Sequence, residues 1–185
     1  MVIEIAHCLA YGSNLHPVRM EARVPSAKVI GIVSMSGKRL AFHKKSNRDD
    51  SGKCNVCETH DPADILYTVL YEFDYAEKGR LDTLEGLGYG YNERRLTVEC
   101  GGQSYEGVFI YEADPAHLDD TLAPNHEYKE MVLLGAKYHG FPPAYIAGIE
   151  VIVSTTNPYP AKQAQDEKVL VKMRGFSAKE GRHGA

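Results

Sequence analysis

The chain has 185 residues, of which 43% are hydrophobic and 25% charged, proportions typical of one soluble globular domain. Its net charge of −4 comes from both signs mixed along the chain, so we expect neither a nucleic-acid partner nor a basic membrane-binding patch. No stretch approaches the roughly 20 apolar residues that span a bilayer, and Glu4 interrupts the short apolar start, so we expect neither a membrane span nor a signal peptide.

The N-terminal pattern predicts a strand, a tight turn and a helix. Residues 3–9 are mostly apolar, and residues 15–23 are amphipathic. Between them, Gly12 can take backbone angles closed to other residues, and Ser13 and Asn14 are both good helix N-caps. Amides left free at such a corner can bind a carboxylate or a developing oxyanion, although most corners of this composition only turn the chain.

Residues 28–35 and 39–43 each have strand character and are separated by Ser36-Gly37-Lys38, a pattern that predicts a β-hairpin. Residues 44–53 are polar and charged, which predicts an exposed loop. The later elements follow in chain order: strands at 54–59 and 65–73, a helix opened by Asp74 and closed by Gly86, a hairpin of 94–100 with 107–111 across Gly101-Gly102, a helix at 127–139, and a second short helix within 144–153.

These elements predict an α+β fold in which six or seven short strands, mostly antiparallel, form a small curled or closed sheet with a few peripheral helices. We expect one folded domain over residues 1–155 and a partly flexible C-terminal extension over 156–185. The last nine residues, 177–185, have the composition of a weakly ordered tail.

Cys54 and Cys57 form a C-x-x-C pair with His43 and His60 nearby, a pattern that can indicate zinc binding or redox chemistry. The pair lies on a predicted strand, where residues three apart point to opposite faces and cannot hold one ion. Two ordinary strand cysteines are therefore the better interpretation, and we expect no metal and no cofactor. The four cysteines of the chain are too sparse for a disulfide scaffold, which predicts a reducing, cytoplasmic location.

Glu85 is the strongest candidate for catalysis. A carboxylate at a helix C-terminus faces the negative end of the helix dipole, and a pocket would disfavour its charged form further, which suits a general base. The segment after it, residues 86–91, supplies three glycines and two tyrosines, a common pocket composition. Ser13 lacks the surroundings of a serine nucleophile, because the sequence has no G-x-S-x-G elbow, so a capping role is expected.

Together these segments resemble the γ-glutamylcyclotransferase family, including its avirulence-induced-gene-like (AIG2-like) members. The resemblance covers about residues 5–152 and depends on the order and spacing of four landmarks. They are Tyr11-Gly12-Ser13-Asn14-Leu15, residues 81–86 with Tyr91, Tyr111 at the end of a strand, and Tyr128-Lys129 with residues 135–137 and 139–145.

The resemblance implies a small mixed β-barrel with flanking helices and an enzyme that releases 5-oxoproline from a γ-glutamyl amine or amino acid. It implies that Glu85 is the acid/base and that Tyr11, Gly12, Ser13, Asn14 and Leu15 form the turn that holds the substrate. Tyr128 matches a tyrosine near the bound glutamyl group, and Tyr91 is a candidate wall of the site. The expected partner is a small γ-glutamyl molecule, bound by a monomer or a homodimer.

One position departs from the family pattern, because Phe109 stands where some members place a site tyrosine. The leaving group of the substrate therefore stays open. Two other classes of protein also stay open: a non-catalytic binding or interaction domain with the same fold, and a zinc or redox protein built on Cys54 and Cys57.

Overall fold

The computed structural model describes residues 4–180, with side chains through residue 176. Its strands are β1 (Ile5–Ala10), β2 (Lys28–Ser36), β3 (Lys38–Lys45), β4 (Gly52–Glu58), β5 (Ile65–Asp74), β6 (Tyr91–Cys100) and β7 (Gln103–Ala113). The α-helices are α1 (Pro17–Arg23), α2 (Lys78–Glu85), α3 (His126–Tyr138), α4 (Pro143–Glu150) and α5 (Pro160–Glu180), with 3₁₀ turns at Tyr75–Glu77 and Pro115–His117. Within residues 4–180, no helix combines the length and the apolar character needed to cross a membrane.

The main sheet has five strands in the order β2-β5-β1-β7-β6. β1 and β7 run parallel, whereas the other neighbouring pairs are antiparallel. The sheet curls until its two edge strands meet: the thiol of Cys100 on β6 lies 3.8 Å from the carbonyl oxygen of Ile32 on β2. The predicted α+β class and the mostly antiparallel, barrel-like sheet are therefore confirmed, with β3 and β4 forming a separate two-stranded sheet.

The predicted hairpin between residues 28–35 and 39–43 is wrong. β2 pairs with β5 along its whole length, from Lys28 opposite Glu72 to Ser36 opposite Ile65, while β3 pairs with β4. Gly37, with φ of +73°, redirects the chain between the two sheets, and its amide donates to the carbonyl of Asp64 at 2.9 Å. Ser36-Gly37-Lys38 changes the direction of the chain as predicted, but a turn sequence does not specify which neighbour each strand takes.

β1 and β5 form the centre of the core, where Leu9, Tyr71 and Phe73 are at most 1% exposed. The predicted β6–β7 hairpin is present, with both turn glycines at positive φ. The helices predicted near 74–86, 127–139 and 144–153 are present as α2, α3 and α4.

Helix α5 was not predicted. It spans 21 residues, and its buried Leu170 and Met173 pack with Met131 of α3 in a second, smaller apolar cluster. The predicted weak order of residues 177–185 falls, from residue 181 onward, outside the described residues. The described part of the C-terminal region therefore helps to cover α3, the helix that borders the candidate site.

Candidate active site

The N-terminal turn (residues 11–15) leaves β1 and precedes α1. The prediction that Ser13 or Asn14 caps this helix is wrong, because α1 begins at Pro17 and the Nδ1 atom of His16 accepts from the amide of Val18 at 3.3 Å. Proline is favoured at the first helical position, where no amide hydrogen is needed. Pro17 therefore starts the helix two residues after the predicted start at residue 15. Ser13 and Asn14 are thus free to face the site rather than to cap a helix.

Gly12 is required for close approach rather than for an unusual backbone angle. It does not adopt a positive φ. A Cβ atom at this position would lie 3.0 Å from the Cβ of Cys54 and 3.3 Å from the hydroxyl of Tyr128. The turn therefore packs directly against β4 and α3, and a side chain at Gly12 would push these elements apart.

Leu15 anchors the turn to the hydrophobic core. Its side chain is fully buried, and its amide donates to the carbonyl of Gly12 at 3.0 Å. Its own carbonyl accepts from the hydroxyl of Tyr71 and from Nε2 of His139, both at 2.7 Å. Burial lowers the pKa of His139, against the opposing effect of this hydrogen bond. Leu15 is thus engaged with the core on all sides and does not line the cavity.

Glu85 is the last residue of α2, and Gly86 closes the helix in the left-handed conformation at φ of +75°, as predicted. The helix is held on the sheet through Asp82. Asp82 accepts from the ammonium of Lys78 at 2.7 and 2.9 Å and from the hydroxyl of Tyr111 at 2.5 Å. These bonds fix the position from which Glu85 enters the site.

The carboxylate of Glu85 is paired. One oxygen, Oε1, accepts from the guanidinium of Arg23 on α1 and from the side-chain amide of Asn14 at 2.8 Å. Both partners donate to the same oxygen, so together they fix the orientation of the carboxylate. Arg23 approaches from α1, 62 positions away along the chain, so no local sequence pattern connects it with Glu85.

The predicted site residues converge on one inner cavity at the end of β1. Its volume is about 40 Å³. Its lining comprises Cys8, Leu9 and Ala10 of β1, residues 11–14 of the turn, Cys54, Glu85, Tyr91, Tyr111 and Tyr128. Seven of the eight predicted site residues therefore lie around one space, and Leu15 lies behind it.

The tyrosines of the inner cavity use their hydroxyls to hold the walls together. Tyr11 donates to the carbonyl of Tyr111 at 2.5 Å, and Tyr91 donates to the carbonyl of Cys54 at 2.6 Å. The hydroxyl of Tyr128 accepts from the amide of Cys54 at 3.2 Å. Burial, followed by the charges of neighbouring ionisable groups, raises the pKa of Tyr11, Tyr91 and Tyr128 well above the usual value. These phenols are neutral, and all three line the inner cavity.

Cys54 is part of the cavity wall, and Cys57 is partly exposed further along β4. Burial raises the pKa of the Cys54 thiol to about 12, so the thiol is protonated at neutral pH. Among the described residues, no group of three or more cysteine, histidine or acidic side chains is arranged to hold a metal ion. The geometry gives Cys54 a packing role beside Gly12.

An outer pocket opens from the inner cavity and shares Ser13, Glu85, Tyr91 and Tyr128 with it. Its volume is about 330 Å³. Its other polar and charged walls come from Arg19 and Arg23 of α1, from Lys44, Ser46, Asn47, Arg48 and Lys53 around the β3–β4 connection, and from Lys162 and Asp166 of α5. Glu85 thus lies at the junction between a small inner space and a larger basic one.

The β3–β4 connection forms a wall of the outer pocket, and the exposed loop predicted for residues 44–53 is only partly confirmed, because buried and exposed positions are mixed along it. Lys44, Ser46, Asp49 and Ser51 are all buried. Asp49 accepts from the ammonium of Lys53 and from the side-chain amide of Asn125, both at 3.0 Å. A carboxylate hidden in this way orders the polar residues around it, a role that composition alone does not reveal.

Several residues of the site were missed by the sequence analysis, chief among them Arg19, Arg23 and Lys44. Arg19 and Arg23 are four residues apart on a helix, a spacing that places them on one face and could have identified them. No comparable spacing in the sequence identifies Lys44 as a site residue. Phe109 is 2% exposed and is not part of the inner cavity lining, whereas Tyr111, two residues later, lines it.

Comparison with known proteins supports the resemblance inferred from the sequence. Residues 65–149 match the AIG2-like family. A γ-glutamylcyclotransferase of Bos taurus is 28% identical over 174 residues, covering 88% of this chain and 86% of that protein. The Homo sapiens protein is 26% identical over 176 residues, with the same coverage. A solved γ-glutamyl cyclotransferase structure superposes with a TM-score of 0.70 at 22% identity, over 91% of this chain and 99% of that one. The predicted family resemblance and fold are confirmed.

Proposed function

We propose that this chain, which resembles the γ-glutamylcyclotransferases and AIG2-like proteins in sequence and fold, is an enzyme that releases 5-oxoproline from γ-glutamyl compounds. The observation that carries the proposal is the position of Glu85 at the junction of the inner cavity and the outer pocket. A γ-glutamyl group held by the N-terminal turn and a leaving amine in the outer pocket would place the scissile amide beside this carboxylate.

The chemistry requires several proton transfers through Glu85 and one ring closure. The α-ammonium of the glutamyl group gives a proton to Glu85, and the resulting amine attacks its own γ-carbonyl carbon to close a five-membered ring. The amide C–N bond then breaks as the leaving nitrogen takes that proton from Glu85, and the ring nitrogen gives its second proton to the Glu85 carboxylate, which passes it to the departing amine. The nucleophile is tethered, so orientation supplies much of the rate, with effective molarities of roughly 10⁵ M or more for well-aligned groups. The ring closure needs neither water nor a cofactor.

The surroundings of Glu85 suit the first proton transfer. Arg23 and Asn14 both donate to Oε1 and so fix the orientation of the carboxylate that accepts the proton. The Oδ1 atom of Asn14 is buried and has no hydrogen-bond partner among the described residues. A buried acceptor without a donor is costly, so a substrate ammonium beside Glu85 would satisfy it.

The proposal is tested by Glu85→Gln, which keeps the shape of the side chain and removes its basicity. We expect 5-oxoproline release from γ-glutamyl-alanine to fall by at least about 10²-fold, the usual contribution of a general base. Mass spectrometry of the product measures the rate, and thermal unfolding confirms that the variant is folded. Near-normal release by the variant would exclude Glu85 as the acid/base.

The substrate range is measured on the unmodified protein with γ-glutamyl-alanine, γ-glutamyl-ε-lysine and glutathione. Release of 5-oxoproline from at least one of them is expected. Binding of γ-glutamyl compounds with no 5-oxoproline formed from any of them would instead identify a non-catalytic binding domain.

A further inference from the structure

The outer pocket is strongly basic in a chain whose net charge is −4. Its lining holds six basic side chains, Arg19, Arg23, Lys44, Arg48, Lys53 and Lys162, against two acidic ones, Glu85 and Asp166. The concentration of positive charge is therefore local, because the rest of the chain carries an excess of negative charge. A concave basic pocket of this kind attracts and binds small anions.

Three of the six cations are already paired. Arg23 pairs with Glu85, and Lys162 pairs with Asp166 at 2.6 Å. Lys53 pairs with Asp49 at 3.0 Å, just outside the lining. These pairs hold the walls of the pocket, and they leave Arg19, Lys44 and the exposed Arg48 as the cations without an ion pair among the described residues.

Arg19 and Lys44 are largely desolvated, and neither has an acidic side chain in direct contact among the described residues. The Nε atom of Arg19 is buried and lacks a hydrogen-bond partner in the described part of the chain. Burial, followed by the nearby charge of Arg23, lowers the pKa of Arg19 to about 10. The Lys44 ammonium is 4.8 Å from the ring centre of Tyr91, and burial followed by the charge of Lys53 lowers its pKa. Lys44 is buried, Arg19 is half-buried with its Nε atom enclosed, and neither forms an ion pair among the described residues.

We propose that the outer pocket selects γ-glutamyl compounds whose leaving amine carries two anionic groups, such as a dicarboxylic amino acid. This inference rests on the proposed function. Burying an uncompensated charge is unfavourable, and a bound anion removes that cost. A single carboxylate supplies one negative charge against these two cations, whereas a dianionic amine supplies one for each. The anions take no part in bond breaking, so the same C–N cleavage and proton return to the leaving nitrogen apply.

The test compares γ-glutamyl-glutamate with γ-glutamyl-glutamine, which differ by one charge and are almost equal in size. We expect kcat/KM for 5-oxoproline release to be at least about tenfold higher for the glutamate conjugate, mainly through a lower KM, because a charge-assisted hydrogen bond in a desolvated site has that strength. Equal kcat/KM for the two conjugates would overturn the inference. The pair γ-glutamyl-phosphoserine and γ-glutamyl-serine shows whether a phosphate replaces the second carboxylate.

Substitution then assigns the preference to the two cations. Lys44→Gln and Arg19→Gln should each reduce the glutamate-to-glutamine ratio severalfold. Lys45→Gln is the matched control, because it removes the same charge from the next, exposed position of β3, and it should leave the ratio unchanged. A ratio that survives both pocket substitutions, or that falls equally with Lys45→Gln, would overturn the assignment. If Arg19→Gln fails to fold, Lys44→Gln carries the test.

Binding separates this inference from the proposed function. Calorimetric titration of the Glu85→Gln protein with the same two conjugates measures selectivity without turnover. Tighter binding of γ-glutamyl-glutamate is expected, and equal affinities would contradict the inference whatever the catalytic result. Absence of 5-oxoproline from every conjugate, with the binding preference intact, would reject the reaction while keeping the pocket as a dianion site.

Discussion

Asn14 is the residue that connects the N-terminal turn to Glu85. Its amide nitrogen donates to Oε1 of Glu85 at 2.8 Å, while its buried oxygen has no partner among the described residues. We expect Asn14→Asp to place a second carboxylate against Glu85, and two adjacent carboxylates disfavour each other's charged form. Activity at pH 7 should therefore fall, and the pH at which the rate is highest should rise.

The pH profile of kcat/KM for 5-oxoproline release measures this effect. Asn14→Ala is the comparison, because it removes the hydrogen bonds without adding a charge, and it should lower the rate without the same move to higher pH. Ser13→Ala should retain measurable turnover, since Ser13 is not proposed as a nucleophile. An unchanged pH profile in Asn14→Asp would show that Asn14 is remote from the reacting groups.

At the scale of elements, the packing of α3 against the N-terminal turn decides where the site forms. A Cβ atom at Gly135 would overlap the Cβ of Leu15 and lie 3.0 Å from the amide nitrogen of His16. Gly135→Ala should displace the turn, lowering stability by about 1–3 kcal/mol, as overpacking usually does. Activity should fall as well, because residues 11–14 line the inner cavity.

Urea unfolding and steady-state kinetics of Gly135→Ala measure the two effects. Gly148→Ala on α4 is the matched control, since no atom lies within 4 Å of the added methyl group. Alanine is favoured over glycine inside a helix, so this control should be neutral or slightly stabilising. Equal behaviour of the two variants would mean that α3 does not position the turn.

At the scale of the whole molecule, sequence patterns predicted turns and helix ends that depend on neighbouring residues. They did not predict contacts between distant segments. Gly86 identified the end of α2, and Gly101-Gly102 identified the β6–β7 hairpin, because left-handed glycines act locally. The pairing of Arg23 with Glu85 joins residues 62 positions apart and left no local pattern. Lys44 and Asp49 lie in a polar, charged stretch typical of an exposed loop, yet both are buried, Lys44 against β6 and Asp49 against the start of α3.

Asp49 links the β3–β4 connection to the start of α3, and its ionisation should govern the acid stability of the whole chain. Burial alone would raise its pKa, but the charge of Lys53 and hydrogen bonds from Ser46, Ser51 and Lys53 outweigh it and lower the pKa to about 2. The charged form therefore stabilises the folded state above the unfolded pKa near 4. That stabilisation, about 2 kcal/mol, is lost as the pH falls toward 2.

Asp49→Asn should lower the free energy of unfolding at pH 7 by about 2 kcal/mol or more, because it also leaves Lys53 buried without its partner. The difference in the free energy of unfolding between Asp49→Asn and the unmodified protein should narrow between pH 5 and pH 3, because the stabilisation by the charged carboxylate decreases over that range. Asp50→Asn is the control: its exposed pair with Lys45 at 3.7 Å should contribute less than about 1 kcal/mol at any pH. Urea unfolding at pH 7, 5 and 3 measures all three proteins. A stability difference that stays constant over this range would show that the charge on Asp49 does not hold the β3–β4 wall of the site in place.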